Sequence, residues 1–190
     1  MKIAVLRRGR ANLEIILTAA HRQRSAFKPS TTKSKMKIIR ASKLHSKTIA
    51  ELNFFVQKIH NDAYPNIFKS YSANEGIKPF FEQILKDLKN YIFIAYLQDI
   101  PVGYLWAQIQ KIPETPLTYS KRRIYIHHVS VDEKYRKNGV GACLIDQVKK
   151  VSKEQDIPDI AVETWTFNKD ANHFFQSQGF DIYSFRMWNI

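Results

Sequence analysis

The 190-residue chain is poor in cysteine and has no long apolar run. Its one cysteine, Cys143, excludes an internal disulfide, and the spacing of cysteine and histidine matches no zinc site. No apolar stretch approaches the ~20 residues that a membrane-spanning helix needs. With a hydrophobic content of 44%, these absences predict a folded protein of the reducing cytoplasm that binds neither a metal nor a membrane.

Acidic residues are also scarce, with 17 Asp and Glu against 30 Lys and Arg, and the excess charge of +13 is unevenly distributed. Residues 1–35 hold nine of the basic residues and only Glu14 on the acidic side. We therefore expect residues 1–35 to be a basic N-terminal extension, either disordered or upstream of a true start at Met36, and residues 36–190 to be the folded domain. Nucleic-acid binding through the extension is an alternative of a different class, but charge alone supports it, so nucleic acid is not an expected partner.

Hydrophobic periodicity predicts a mixed α/β domain after Met36. Apolar residues at helical spacing indicate one helix around Leu52 that ends before Pro65, and a second from Ile77 to Leu88. β-rich runs and turn signals indicate strands at Lys37 to Arg40, Tyr91 to Leu97, Val102 to Gln110, Ile124 to Val131, Ile160 to Trp165 and Phe180 to Trp188. With further helices after Gly139 and from Asp170 to Ser177, the order β-α-α-β-β-β-α-β-α-β is typical of a layered α/β fold.

The segment Arg136 to Gly141 is a basic, glycine-containing loop between a strand and an amphipathic helix. The first N–H groups of a helix have no intrahelical partners and carry the positive end of its dipole, so such a loop favours phosphate. A Walker P-loop is excluded because Gly141 is followed by Ala142 and Cys143, and a dinucleotide-binding fingerprint is excluded because Leu144 replaces its third small residue.

Two motifs give the chain a resemblance to a known family. The loop Arg136 to Gly141 (RKNGVG) resembles the R/Q-x-x-G-x-G/A motif of the GNAT superfamily of N-acetyltransferases, and Asn168 to Phe180 resembles that family's N-x-x-A-x-x-Φ-Y…G-F. The resemblance covers residues 36–190. It implies a mostly antiparallel, twisted sheet of about six to seven strands flanked by helices, with a splayed, V-shaped cofactor cleft. It also implies acetyl-coenzyme A as cosubstrate and an amine acceptor as the second partner.

The resemblance places the cofactor along the loop and two neighbouring segments. The loop amides would hold the pyrophosphate, with Gly139 and Gly141 letting phosphate approach the backbone. A bulge near Val129 would expose strand amides to the pantetheine arm, and Asn168 would bind the same arm or instead cap the helix that follows. The cofactor-binding set is Val129, Ser130, Val131, Arg136, Lys137, Asn138, Gly139, Val140, Gly141, Ala142, Asn168 and Phe175.

Amine acetylation requires a proton acceptor, and three residues are candidates for the catalytic base. His127 and His128 occupy strand positions where relatives often carry Glu or Asp, and the ordinary pKa of histidine, about 6.5, suits the task. Because adjacent strand residues point to opposite faces, we expect at most one histidine to face the cleft. His128 is preferred and Glu163 is the reserve candidate, while two structural histidines remain an alternative.

Phe175 stands where many family members carry the tyrosine thought to protonate the departing thiolate. Because phenylalanine has no hydroxyl, the thiolate would leave as the anion, at a thiol pKa of about 8.5, or Tyr183, Tyr135, Ser130 or water would supply the proton. Loss of catalysis is the other outcome. A non-catalytic acyl-coenzyme A sensor is therefore the main alternative to an N-acetyltransferase that uses direct attack.

The sequence leaves the acceptor open, as a small-molecule amine or as a protein N-terminus or lysine. A group of aromatic residues before residue 72 forms either an acceptor pocket or part of the core, with the core favoured; it consists of Phe54, Phe55, Tyr64, Phe68 and Tyr71. Both a monomer and a homodimer are compatible with the sequence.

Overall fold

The computed structural model describes residues 36–71 and 76–189, so the predicted N-terminal extension lies outside the described residues. The elements in chain order are β1 (Lys37–Arg40), α1 (Ser46–Ala63), α2 (Ile77–Ile84), β2 (Asn90–Leu97), β3 (Ile100–Ile112), β4 (Lys121–Val131), α3 (Val140–Glu154), β5 (Ile160–Val162) and α4 (Lys169–Ser177). Short 3-10 helices at Lys43–His45 and Glu133–Tyr135 precede α1 and follow β4. In this part of the chain, none of the helices has both the length and the apolar character needed to cross a membrane.

The strands form one sheet in the order β1-β2-β3-β4-β5. The pairs from β1 to β4 are antiparallel, whereas β5 runs parallel to β4. Strands β2 and β3 are joined by Gln98 and Asp99, which both have positive φ, 51° and 63°. Two such residues make the tight turn whose twist matches that of a hairpin, which confirms the predicted β2–β3 pairing.

Each face of the sheet is covered by one pair of helices, because the alternation of side chains along β2 and β3 supplies two apolar faces. Helices α3 and α4 cover the face that includes Leu105, Ala107 and Ile126. Helices α1 and α2 cover the opposite face, where Tyr104 and Trp106 lie against α1 and Phe81 of α2. We call this second side the α1/α2 face.

The predicted fold class is confirmed, with corrections at the end of the sheet. Five strands are present among the described residues, rather than six to seven. The predicted strand Phe180 to Trp188 is not a strand here, and β5 ends at Val162 rather than Trp165. The apolar alternation of Phe180 to Trp188 is that of a strand, but a strand also needs a neighbour to accept its backbone hydrogen bonds. Its side chains are largely exposed, with Tyr183 at 92%.

Candidate functional site

Strands β4 and β5 separate part way along their length. Their pairing runs from Ile124 opposite Ile160 to Ile126 opposite Val162, while β4 continues to Val131. The N–H of Asp132 donates to the carbonyl of Val102 on β3. In an antiparallel pair, every second residue directs its backbone N–H and C=O to the same neighbouring strand. Val129 and Val131 therefore direct their backbone polar groups away from β3, toward the gap. This is the splayed cleft that the sequence led us to expect.

The glycine loop connects the end of β4 to the first turn of α3. Gly139 is the N-cap of α3 and has a φ of 78°, a left-handed value that glycine adopts without strain. The first intrahelical bond runs from the N–H of Cys143 to the carbonyl of Gly139. The N–H groups of Val140, Gly141 and Ala142 therefore have no acceptor within the helix. They form a set of donors at the positive end of the helix dipole.

Polar side chains hold this loop in place. The Nε of Arg136 donates to the carbonyl of Val131 at 3.3 Å, and its guanidinium lies 3.7 Å from the Glu133 carboxylate. The Asn138 amide donates to the carbonyls of Tyr135 and Arg136, both at 3.3 Å. These bonds tie the loop to the end of β4, so the donors of α3 are held in a fixed position relative to the gap.

The two loop glycines have different structural roles. A Cβ on Gly139 would meet nothing within 4 Å, so Gly139 is needed for its positive φ. A Cβ on Gly141 would lie 2.8 Å from Cζ of Phe174, so Gly141 makes room for a ring on α4. The sequence predicted that both glycines let phosphate approach the backbone. The structure adds a packing role for Gly141.

A β-bulge in β4 lies at His127, two residues before the position expected from the resemblance. Trp106 of β3 is opposite His128, and Ala107 is opposite Ile126, so His127 is the extra residue. A bulge reverses the alternation of side chains after it. Both histidines consequently lie against Trp106 on the α1/α2 face: His127 is stacked at 4.0 Å and 17°, and His128 is edge-on at 5.2 Å and 88°. The two histidines therefore do not point to opposite faces of the sheet, as regular alternation along β4 would have placed them. That at most one of them faces the cleft stays a prediction.

His128 is part of a buried hydrogen-bond chain. The Tyr104 hydroxyl donates to Oδ1 of Asn53 at 2.7 Å and lies 2.8 Å from Nδ1 of His128. Since the hydroxyl has one proton, Nδ1–H of His128 is the donor to the Tyr104 oxygen. Burial, followed by the nearby His127 and His60, lowers the pKa of His128 to about 4. His128 is thus a neutral histidine whose Nδ1 is already bonded.

His127 lies on the same face and has different partners. Its Nε2 is 3.3 Å from Oε1 of Gln108, and its ring contacts that of Tyr125 at 4.9 Å. Burial, followed by the charge of Arg123, lowers the pKa of His127 from its ordinary value. Unlike His128, His127 has no bond to the buried Tyr104 and Asn53 pair, so it is the more available of the two imidazoles.

Glu163 follows directly after β5 and has two polar partners. The Tyr125 hydroxyl donates to it at 3.3 Å, and Arg186 lies 3.4 Å from its other oxygen. Burial and the Glu163 charge raise the pKa of Tyr125. The carboxylate is half-exposed and paired with Arg186, so Glu163 is a solvated, salt-bridged group, and its role as the reserve base stays a prediction.

The second motif shapes the end of α4. The side-chain oxygen of Asn168 accepts from the N–H of Ala171 at 3.1 Å, so Asn168 caps α4. Phe175 is buried against Phe174 and Phe180, with ring centroids at 5.2 and 5.5 Å. Contact of either residue with a cofactor stays a prediction. Both positions already have structural roles.

The hydroxyl groups considered as replacement acids have different surroundings. Ser130 is buried, and its hydroxyl donates to the carbonyl of Leu52 at 2.7 Å. Tyr183 lies in the exposed C-terminal segment. Tyr135 packs beside the core under α3. The hydroxyl of Ser130 is therefore engaged within the protein, whereas a solvent proton can reach Tyr183.

The aromatic residues of the α1 region divide into two groups. Phe54 contacts Phe55 and Tyr71. Tyr64 and Phe68 instead contact Trp165 at 5.3 Å each. A further ring, Phe167, lies 5.5 Å from Tyr64 and 6.0 Å from Trp165. We call Tyr64, Phe68, Trp165 and Phe167 the aromatic cluster.

The aromatic cluster joins the C-terminal end of α1 to the segment after β5. Its members are only partly buried and belong to neither of the two core clusters. Sequence reasoning found Tyr64 and Phe68 but missed Trp165 and Phe167, because it assigned Trp165 to a strand. The available signal in the sequence was the pair of aromatic residues at alternate positions, Trp165 and Phe167.

Comparisons with known proteins agree with this geometry. A family model described as Acetyltransferase (GNAT) family matches residues 54–180, about two thirds of the chain. Human N-alpha-acetyltransferase 30 is 37% identical over 59 residues, which is 31% of this chain and 16% of that protein. Human N-acetyltransferase 8 is 25% identical over 88 residues, 46% of this chain and 37% of that protein. The chain thus spans well under half the length of either relative.

Solved structures share the fold at low sequence identity. A tetramutant of the BH1408 protein from Bacillus halodurans has a TM-score of 0.75 at 20% identity, covering 81% of this chain and 99% of that one. Aminoglycoside N-acetyltransferase AAC(6')-Iy, solved in complex with CoA, has a TM-score of 0.66 at 19% identity, covering 84% of this chain and 97% of that one.

Proposed function

Because the chain belongs to the acetyltransferase (GNAT) family, we propose that it transfers the acetyl group of acetyl-coenzyme A to a primary amine. The amine attacks the thioester carbonyl directly, and no covalent enzyme intermediate forms. The acceptor is a small molecule or a protein N-terminus or lysine. Neither the non-catalytic sensor nor the nucleic-acid-binding module draws support from the comparisons.

The observation that supports this proposal most is the series of free backbone groups along one side of the gap. Val129 offers its N–H and carbonyl, and Val131 its N–H, along the unpaired edge of β4, as an adjacent strand would require. The Val131 carbonyl accepts from Arg136 instead. A pantetheine arm contains two amides and can take that place. Beyond them, the N–H groups of Val140 and Gly141 suit a pyrophosphate, and the exposed Lys137 adds positive charge.

His127 is the preferred base, in place of the sequence preference for His128. A base with a pKa of about 4 lies roughly six units below a primary ammonium, a disadvantage of about 8 kcal/mol for proton transfer. Burial, followed by the charge of Arg123, also lowers the pKa of His127, but its ring is not bonded to the buried Tyr104 as that of His128 is. His127 accepts the amine proton directly or through a water molecule.

The departing thiolate needs no protein acid in this scheme. Phe175 has no hydroxyl, and the Ser130 hydroxyl is bonded to Leu52. A thiol with a pKa of about 8.5 leaves as the anion near neutral pH, and water then protonates it. The pKa of the leaving group thus compensates for the tyrosine that this chain lacks.

Titration with acetyl-coenzyme A in a calorimeter tests the first half of the proposal. Saturable binding with one site per chain is the expected result, and its absence would overturn the proposed function. Thiol release across an amine panel tests the second half. The panel should contain an aminoglycoside such as sisomicin, peptides with free N-termini, and peptides with lysine but a blocked N-terminus. Binding without release on any amine would favour the acyl-coenzyme A sensor instead.

A further inference from the structure

Four polar side chains form a continuous chain on the α1/α2 face of β3 and β4. The Nε of Arg123 lies 3.0 Å from Oε1 of Gln110. The Nε2 of Gln110 lies 3.2 Å from Oε1 of Gln108. The same Oε1 lies 3.3 Å from Nε2 of His127. Because residues 108 and 110 of β3 are opposite Tyr125 and Arg123 of β4, the strand register itself brings these groups together.

The donor and acceptor capacity of each group determines the direction of every bond in this chain. A guanidinium only donates, so Gln110 must present its carbonyl oxygen to Arg123. Its NH₂ then points to Gln108, which must present its own oxygen. An oxygen cannot donate, so Nε2 of His127 must carry the proton. Arg123 thereby determines the tautomer of His127 through the two intervening glutamines.

We propose that Arg123, Gln110 and Gln108 are positioning residues that keep neutral His127 in the Nε2–H form, which leaves the lone pair on Nδ1. This inference rests on the proposed function, in which His127 accepts a proton, and it names the nitrogen that does so. Trp106 completes the arrangement. Its indole holds the imidazole plane by stacking. The indole N–H donates to the buried Asn90 at 2.9 Å, so the orientation of the indole is itself fixed.

The bulge at His127 brings His128 onto the same face as His127. Without the bulge, His128 would point to the face opposite that of His127, and only one imidazole would reach Trp106. With it, the two histidines have opposite tautomers. His128 donates from Nδ1 to Tyr104, and His127 donates from Nε2 to Gln108.

The test is the tautomer of His127, read from the ¹⁵N shifts of its ring nitrogens by NMR at pH 8 in the full chain. The spectrum of His127→Gln identifies the signals among those of the six histidines. The native protein should show Nε2–H. Arg123→Ala frees both glutamine amides to rotate, so it should give a mixture of tautomers. The adjacent, exposed Arg122→Ala removes the same charge outside the chain of bonds and should leave the tautomer unchanged.

A second substitution distinguishes positioning from a general structural effect. A carboxylate at position 108 can only accept a hydrogen bond, so Arg123→Ala combined with Gln108→Glu should restore the Nε2–H form. In kinetic measurements at pH 8, kcat should fall in Arg123→Ala in proportion to the lost Nε2–H fraction, while KM for acetyl-coenzyme A stays constant.

The outcomes separate this inference from the proposed function. An Nδ1–H form in the native protein, or an unchanged tautomer in Arg123→Ala, would overturn the positioning role whatever the activity. The expected tautomers with no acetyl transfer to any amine would instead overturn the proposed function.

Discussion

The imidazole of His127 lies parallel to the indole of Trp106, with ring centroids 4.0 Å apart, while the next residue, His128, meets the same indole edge-on. Two consecutive strand residues reach one ring because the bulge at His127 reverses the alternation of side chains. The two imidazoles nevertheless differ in surroundings. One is tied to buried Tyr104, and the other faces a polar chain that ends at Arg123.

The first prediction concerns the base. In this proposal the neutral form of His127 is active, so kcat/KM for the amine should rise with pH through a pKa below 6.5, because burial and Arg123 lower the pKa of His127. His127→Ala should reduce kcat/KM by about 10²–10⁴-fold and abolish that acidic limb. His128→Ala is the matched control and should keep the limb. If His128→Ala removed it while His127→Ala did not, the assignment would be reversed.

The second prediction concerns acid stability. His128 has a pKa of about 4 in the folded protein and about 6.5 when unfolded. Between pH 6.5 and pH 4, His128 therefore binds a proton in the unfolded chain but stays neutral in the folded chain. The free energy of unfolding consequently falls as the pH drops toward 4. The loss should reach about 3 kcal/mol. Urea unfolding at pH 7 and pH 4.5 measures it, and His128→Gln should show a flatter dependence; an equally steep one would assign the loss to other groups.

The third prediction concerns the buried chain of bonds. Tyr104→Phe leaves Oδ1 of Asn53 and Nδ1–H of His128 without their partner. Because these groups are buried, the free energy of unfolding should fall by about 1–3 kcal/mol. Tyr125→Phe removes a hydroxyl whose partner, Glu163, is half-exposed, and should change stability by less than about 0.5 kcal/mol. Equal losses in the two variants would contradict the buried chain of bonds.

The fourth prediction separates the two loop glycines. Gly139→Ala places a side chain at a φ of 78°, which costs about 1–2 kcal/mol, and the loop should distort and lose affinity for acetyl-coenzyme A. Gly141→Ala brings a methyl group against Phe174, so its defect should be relieved by adding Phe174→Leu. Adding Phe174→Leu to Gly139→Ala should not relieve the defect, because that defect comes from the backbone conformation and not from Phe174. Calorimetry and thermal unfolding of the single and double variants measure both effects.

Much of the fold was predictable because its signals are local. The helix α1 ends at Ala63, as Pro65 predicts, and β1 has the predicted bounds. The glycine loop lies where its motif placed it, and Asn168 caps α4, which was the alternative to its predicted contact with the cofactor. The last strand was mispredicted, because Phe180 to Trp188 has the local pattern of a strand and its pairing is not a local property.

The sequence by itself determined the family motifs, the glycine loop before α3 and the absence of a tyrosine at Phe175. These are properties of residue identity and spacing. The tertiary structure decided which side of the sheet each histidine occupies, because a one-residue bulge shifts the register between β3 and β4 without any mark in the composition. It also decided which imidazole is bonded to Tyr104, since hydrogen-bond partners come from elements far apart in the chain.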